Sequence, residues 1–102
     1  MKNVTITWKA FGKPTYTVLM IEDWMSDWLI CEELFKETNT YAGKLWDALQ
    51  YDIPKNRTHT ALSVGDEIDI DGNVYRCEPI GWKIVDTYEP IHWDAALSGR
   101  DL

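Results

Sequence analysis

The sequence predicts a small α+β domain in which an antiparallel sheet, made of an N-terminal hairpin, a C-terminal hairpin and a closing strand, packs against two short helices. Three observations carry that expectation. Apolar residues alternate with polar ones on either side of turn residues; elsewhere large side chains recur every three or four positions; and 102 residues with 45% hydrophobic and 26% charged content suit one core. A chain of this size buries roughly 60 to 70% of its unfolded surface, so each large apolar side chain matters to stability. The domain is expected to span residues 1–86, followed by an irregular tail, 87–102, that docks in part through Ile91 and Trp93.

Val4-Thr5-Ile6-Thr7-Trp8 alternates, and Thr15 to Ile21 is rich in β-branched and aromatic residues, so both read as strands. Gly12-Lys13-Pro14 between them is turn chemistry, which makes the pair a hairpin. After Glu22 and Asp23 the period changes. Trp24, Trp28, Cys31 and Phe35 fall at helical spacing, with Asp23 or Ser26 as N-cap. The polar run Thr38-Asn39-Thr40 is expected to interrupt this helix, and Ala42, Leu45, Trp46 and Leu49 mark a second helical face that Gly43 weakens. Pro54 to Arg57 reads as a loop. Asp71-Gly72 then signals a type I′ turn, which would set Ile70 opposite Asn73, Ile68 opposite Tyr75 and Asp66 opposite Cys77, with Ile68, Ile70, Tyr75 and Cys77 on the buried face. Gly81 restarts the chain into a last strand with Trp82 and Ile84.

The net charge of −7 is unevenly spread. Residues 1–20 hold three lysines and no acid; residues 21–50 and 51–102 each carry a net −5. Phosphate binding needs Lys and Arg to replace counterions, so this sign argues against a conventional DNA or RNA binder and favours a protein partner with a basic surface. Self-association as a homodimer is a second partner reading. Neither a signal peptide nor an 18-residue apolar run occurs, so no membrane association is expected, and residence is assigned to the host cytoplasm. Cys31 and Cys77 lie in apolar patterns and read as buried free thiols.

The stretch Arg57-Thr58-His59-Thr60-Ala61-Leu62-Ser63-Val64-Gly65-Asp66, followed by Asp71-Gly72, Tyr75, Cys77 and Gly81-Trp82, resembles a signature of small proteins encoded by phages, plasmids and integrated elements. It is also similar to the YodL-like family, departing from that pattern at Gly65 and Trp82. Together with Leu29 to Asn39 and Trp46, the resemblance covers about residues 29–85. It implies a mobile-element setting and supplies neither a reaction nor catalytic residues. On physical grounds Gly65, Asp66 and Gly81 read as scaffold positions, two turns and an acid that bonds nearby backbone.

Several chemistries fail on their spacing. His59, Ser63 and Asp66 lack the Gly-x-Ser-x-Gly setting of a nucleophile elbow, so a hydrogen-bonded loop that orders Arg57 and His59 is the better account, and no catalytic residue is assigned. Cys31, Cys77, His59 and His92 could count as four zinc ligands but contain no local pair. Asp66, Glu67, Asp69 and Asp71 interleave with Ile68 and Ile70 as strand residues do, not as a calcium loop does. The glycines never cluster around a phosphate. No metal or cofactor is therefore expected.

What remains is a line of carboxylates on the first helix and beyond it, Glu32, Glu33, Glu37 and Asp47, with Trp24 and Trp28 nearby. Aromatic anchors ringed by charge suit a protein-binding patch; the competing account is a solvated helix whose Trp residues face the core. Arg57 and His59 form a second candidate site in the loop. The expected function is a non-enzymatic, protein-binding accessory protein of a phage or mobile element, one form of which is inhibition of a host defence system through the acidic surface. The alternative is a nucleic-acid-associated regulatory module using Lys2, Lys9, Lys13 and Arg57 with surface aromatics.

Overall fold

The computed structural model describes residues 1–50 and 60–87. Their order is β1 (Lys2–Trp8), β2 (Thr15–Ile21), α1 (Asp27–Thr40), α2 (Lys44–Leu49), β3 (Glu67–Ile70), β4 (Asn73–Cys77) and β5 (Trp82–Asp86). The strands form one antiparallel sheet in the order β2-β1-β3-β4-β5, an α+β fold as the patterning predicts. The expected tail contacts of Ile91 and Trp93 lie outside the described residues. No helix among the described residues is long and apolar enough to cross a membrane.

Both hairpins follow from their turns. Lys2 pairs with Ile21 and Trp8 with Thr15 across the first. In the second, Asp71 and Gly72 take φ of 49° and 95°. Positive φ at both central residues is the type I′ geometry whose twist matches the strands. The pairs Ile70–Asn73 and Ile68–Tyr75 form as expected, and the Cys77 amide donates to the Asp66 carbonyl at 2.9 Å. Less local is the pairing of β1 with β3, Val4 opposite Ile70 and Ile6 opposite Ile68, which places the N-terminal strand inside the sheet, between β2 and β3.

Alternation sends one set of side chains from every strand to the helical side. Val4, Ile6, Trp8, Leu19, Ile21, Ile68 and Ile70 meet Ile30, Cys31 and Leu34 of α1, and Leu49 and Leu62 close the cluster. The Trp8 indole N–H, which would otherwise be stranded in this core, donates to the Thr17 hydroxyl at 2.8 Å.

Two expectations about the helices change. The run Thr38-Asn39-Thr40 does not interrupt α1, which continues to Thr40 over 14 residues and ends at Tyr41 with φ 55°. Those polar side chains are absorbed by local bonds: the Thr38 and Thr40 hydroxyls donate to the Phe35 and Lys36 carbonyls, and the Asn39 amide donates to those of Phe35 and Leu62. The second change concerns the buried face, which is Ile30, Cys31, Leu34, Glu37 and Thr38 and not the Trp24-Trp28-Cys31-Phe35 line.

Candidate functional site

The rotation of α1 is set at its two ends. Ser26 is the N-cap, its hydroxyl accepting from the Leu29 amide at 3.2 Å. The next residue, Asp27, points to the sheet. Its carboxylate accepts from the Lys2 ammonium at 2.9 Å and from the Tyr75 hydroxyl at 2.6 Å, while Lys2 also donates to the Met25 carbonyl. Burial alone would raise the Asp27 carboxyl, but the bonds from Tyr75 and Lys2, with the Lys2 charge, more than offset it and hold the group below the usual carboxylate range. Burial first, then the bonded Asp27, pushes the Tyr75 phenol up.

The other end of the helix is pinned by Glu37, which is only 9% exposed. One of its oxygens accepts from the Leu45 and Trp46 amides at 2.8 and 2.9 Å. The reason lies in Gly43, the N-cap of α2, which has no side chain to satisfy those donors. Its φ of 124° also favours glycine, and a Cβ there would overlap the Glu37 carboxylate. The expected line Glu32, Glu33, Glu37, Asp47 is thus corrected. Glu37 faces inward as the capping acceptor of α2, whereas Glu32 and Asp47 are exposed and Glu33 is half-buried.

With Asp27 and Glu37 both turned inward, Trp24 and Trp28 are left outside, 74% and 60% exposed, and Phe35 is 40% exposed. The account that buries these indoles in the core does not hold, because Trp24 precedes the helix cap and Trp28 sits a third of a turn off the buried stripe. Around them lie Glu22, Asp23 and Glu32, of which Asp23 holds the Met1 amino group at 3.1 Å.

Two recesses flank this crest. A groove of about 600 Å³ runs between α1, α2 and the end of β2; Met20, Trp24, Met25, Leu29 and Leu45 give it apolar walls, and Glu33 and Lys44 reach into it. On the opposite flank, a cleft of about 220 Å³ lies between α1 and the turn that joins β4 to β5, lined by Glu32, Phe35, Glu78, Pro79 and Trp82. Phe35 and Trp82 meet edge to face there, with centroids 6.5 Å apart. Sequence spacing groups Trp24, Trp28 and Phe35 together, yet the fold sets Trp24 in the wall of the groove and Phe35 in that of the cleft, with Trp28 exposed on the helix between Trp24 and Phe35 in sequence. No signal in the sequence marked Trp82, Glu78 or Leu45 as their neighbours.

Cys31 and Cys77 are buried and free. Burial, followed by the charges of Asp27 and Glu32, pushes the Cys31 thiol up to about 12, and burial with Asp66 and Glu78 raises Cys77. Both are inert as nucleophiles at neutral pH.

In the described part of the signature segment, from Thr60 on, the side chains of Ser63 and Asp66 are engaged with backbone. Asp66 is fully buried; one carboxylate oxygen accepts from the Lys9 and Ala10 amides at 2.8 and 2.9 Å, and the other from the Ser63 amide at 2.9 Å. The Ser63 hydroxyl donates to the Ala61 carbonyl, and the Leu62 amide donates to Thr38. The Asp66 carboxylate and the Ser63 hydroxyl thus each serve backbone groups, the Ser63 amide among them. The loop candidates Arg57 and His59 lie outside the described residues, as does His92. Among the described residues, no three His, Cys, Asp or Glu side chains gather as a metal site.

Two of the cations offered for nucleic-acid contact are engaged in ion pairs, Lys2 with Asp27 at 2.9 Å and Lys9 with Glu67 at 2.8 Å. Neither family models, curated proteins nor solved structures match the chain, so the mobile-element resemblance rests on the residues of the signature alone.

Proposed function

We propose that this chain is a non-enzymatic binding module of a phage or other mobile element, working in the host cytoplasm, whose α1 crest docks on a protein partner with a basic surface. The single observation that carries this reading is the exposure of Trp24 and Trp28, at 74% and 60%, among Glu22, Asp23 and Glu32. Indoles contribute large, rigid contact area and are enriched at binding hot spots, while surrounding carboxylates steer a cationic face into register. The apolar groove beside Trp24 offers room for a partner side chain. A concrete form of the activity is occlusion of a basic nucleic-acid channel on a host defence nuclease. The nucleic-acid-associated alternative draws less support, since Lys2 and Lys9 already spend their charge within the chain.

The test is affinity capture from host lysate with the wild-type chain, a Trp24→Ala/Trp28→Ala double variant and a Glu32→Lys/Glu33→Lys double variant. A partner retained by wild type and lost from both variants is expected, with retention weakening as salt rises. An identical set of retained proteins on all three would overturn the reading.

A further inference from the structure

The smaller of the two recesses has a composition that selects its ligand. At about 220 Å³ the cleft between α1 and the β4–β5 turn is below the roughly 300 to 1,000 Å³ of sites for whole small molecules, and is the size of one long side chain. Its walls are of two kinds. Phe35 and Trp82 stand at an interplanar angle of 88°, presenting a ring face and a ring edge at right angles. Glu32 from α1 and Glu78 from the turn bring carboxylates from two separate elements, and among the described residues no cation lines the space.

Glu78 already holds one guanidinium. Its Oε2 accepts from Arg76 Nε at 2.7 Å. Counting Arg76 against the two glutamates still leaves one negative charge in excess. The field of these acids is felt by the thiols beneath, since after burial Glu32 contributes to the raised Cys31 and Glu78 to the raised Cys77. Trp28 reaches the same turn, its ring 3.9 Å from where a Gly81 Cβ would stand, so an exposed indole borders the cleft. Ile80, 93% exposed, caps the turn.

We infer that this cleft is a receptor for a guanidinium group, taking an arginine side chain of the protein partner between the Phe35–Trp82 corner and the Glu32 and Glu78 carboxylates. A guanidinium is planar, weakly hydrated and carries donors in a fixed fork, so it can lie on an aromatic face while bonding carboxylates at its rim. A lysine ammonium satisfies the charge but not the flat contact. The inference deepens the protein-binding reading, on which it depends for the source of the arginine, and it names the cleft, not the Trp24 groove, as the place where cationic specificity arises.

The experiment uses the full chain, ¹⁵N-labelled, titrated with Nα-acetyl-arginine methylamide, its lysine counterpart and the uncharged norleucine counterpart. The expected result is a saturable shift of the Trp82 indole N–H and the Gly81 amide with the arginine probe, in the millimolar range typical of a lone side chain. The Trp24 indole, on the other flank, stays in place. Glu32→Gln weakens the arginine probe about threefold to fivefold. Phe35→Leu, at a position 40% exposed and outside the buried stripe of α1, weakens it as well while the remaining spectrum is kept. Equal shifts from all three probes, a lysine probe as strong as the arginine one, or an unchanged affinity in both variants would overturn the inference. Partner capture that depends on Trp24 and Trp28 while Trp82 ignores every probe leaves the binding reading intact and removes the cleft. A saturable arginine site in a chain that captures nothing keeps the cleft and removes the binding reading.

Discussion

The inner and outer sides of α1 use the same residue types to opposite ends. On the inner side, Glu37 and Asp27 are carboxylates held by two backbone amides, an ammonium and a phenol. On the outer side, Glu32 lies in solvent beside Trp28. A buried carboxylate is tolerated only when its oxygens are occupied, so the inner acids orient the helix and the outer ones are left for other purposes. The indoles repeat the contrast. Trp8 is fully buried with its N–H satisfied, whereas Trp24 and Trp28 stay outside a core that aliphatic residues already fill. In a domain this small, a tryptophan's size is no measure of its burial.

That contrast can be broken most forcefully at Asp66, the most enclosed of the structural acids. Asp66→Ala removes the fully buried acceptor of three part-buried backbone amides in two separate segments and is expected to cost about 3 kcal/mol or more, read as a fall in the urea midpoint. Asp66→Asn keeps an acceptor for Lys9 and Ala10 but sets an amide against Ser63 N–H, so roughly half that loss is expected. A near-neutral result for Asp66→Ala would mean that the two segments are not held together by this carboxylate.

Next in size is the junction of the two helices. Gly43→Ala combines a side chain at φ 124° with the displacement of Glu37, and about 2 kcal/mol of destabilisation is expected. Glu37→Gln retains an oxygen for Leu45 and Trp46 and should cost less than about 1 kcal/mol. If the two variants proved equally stable, Glu37 would be an incidental neighbour and not the cap of α2.

The strands were legible in the sequence to within a residue or two, because alternation and the Asp71-Gly72 turn fix register over short distances. The interior place of β1 was not, since its pairing with β3 joins residues as far apart as Val4 and Ile70 and no local signal encodes that. The candidate site was half legible. Trp24, Trp28, Glu32 and Glu33 do stand on or beside a crest, but their three-and-four spacing also describes a buried stripe, and only the Ser26 cap with the Asp27 anchor decides between them. Glu37 misled because its role answers a missing cap six residues later, a relation invisible until Gly43 is seen at a helix start. Trp82 and Glu78 entered the site through the fold alone.

A pH titration sharpens the inner side without altering the outer. Because the Asp27 carboxyl is held below its ordinary 3.8, the stability it confers is complete above that value and is lost as pH falls through the folded one. Asp27→Asn should therefore flatten the acid limb of the stability profile and, because the bonded Asp27 also helps push the Tyr75 phenol up, soften the loss of stability above the ordinary tyrosine value of 10.0 as well. An acid limb identical to that of wild type would place the lost protons on other carboxylates.

The smallest effect on stability is expected where the effect on function is largest. Trp28 makes few inward contacts at 60% exposure, so Trp28→Ala should shift stability by less than about 0.5 kcal/mol, and Trp24→Ala by no more. Removing such surface aromatics commonly leaves fold and solubility intact, so a partner that binds wild type but not these variants has lost a contact and not a folded receptor. The comparison fails if Trp28→Ala lowers the urea midpoint as much as Gly43→Ala does. The indole would then be supporting the β4–β5 turn through its approach to Gly81, and its exposure would be structural in origin. Equal midpoints with lost capture would instead assign the energy of Trp28 to the interface, where a flat apolar surface next to Glu32 gains by being covered.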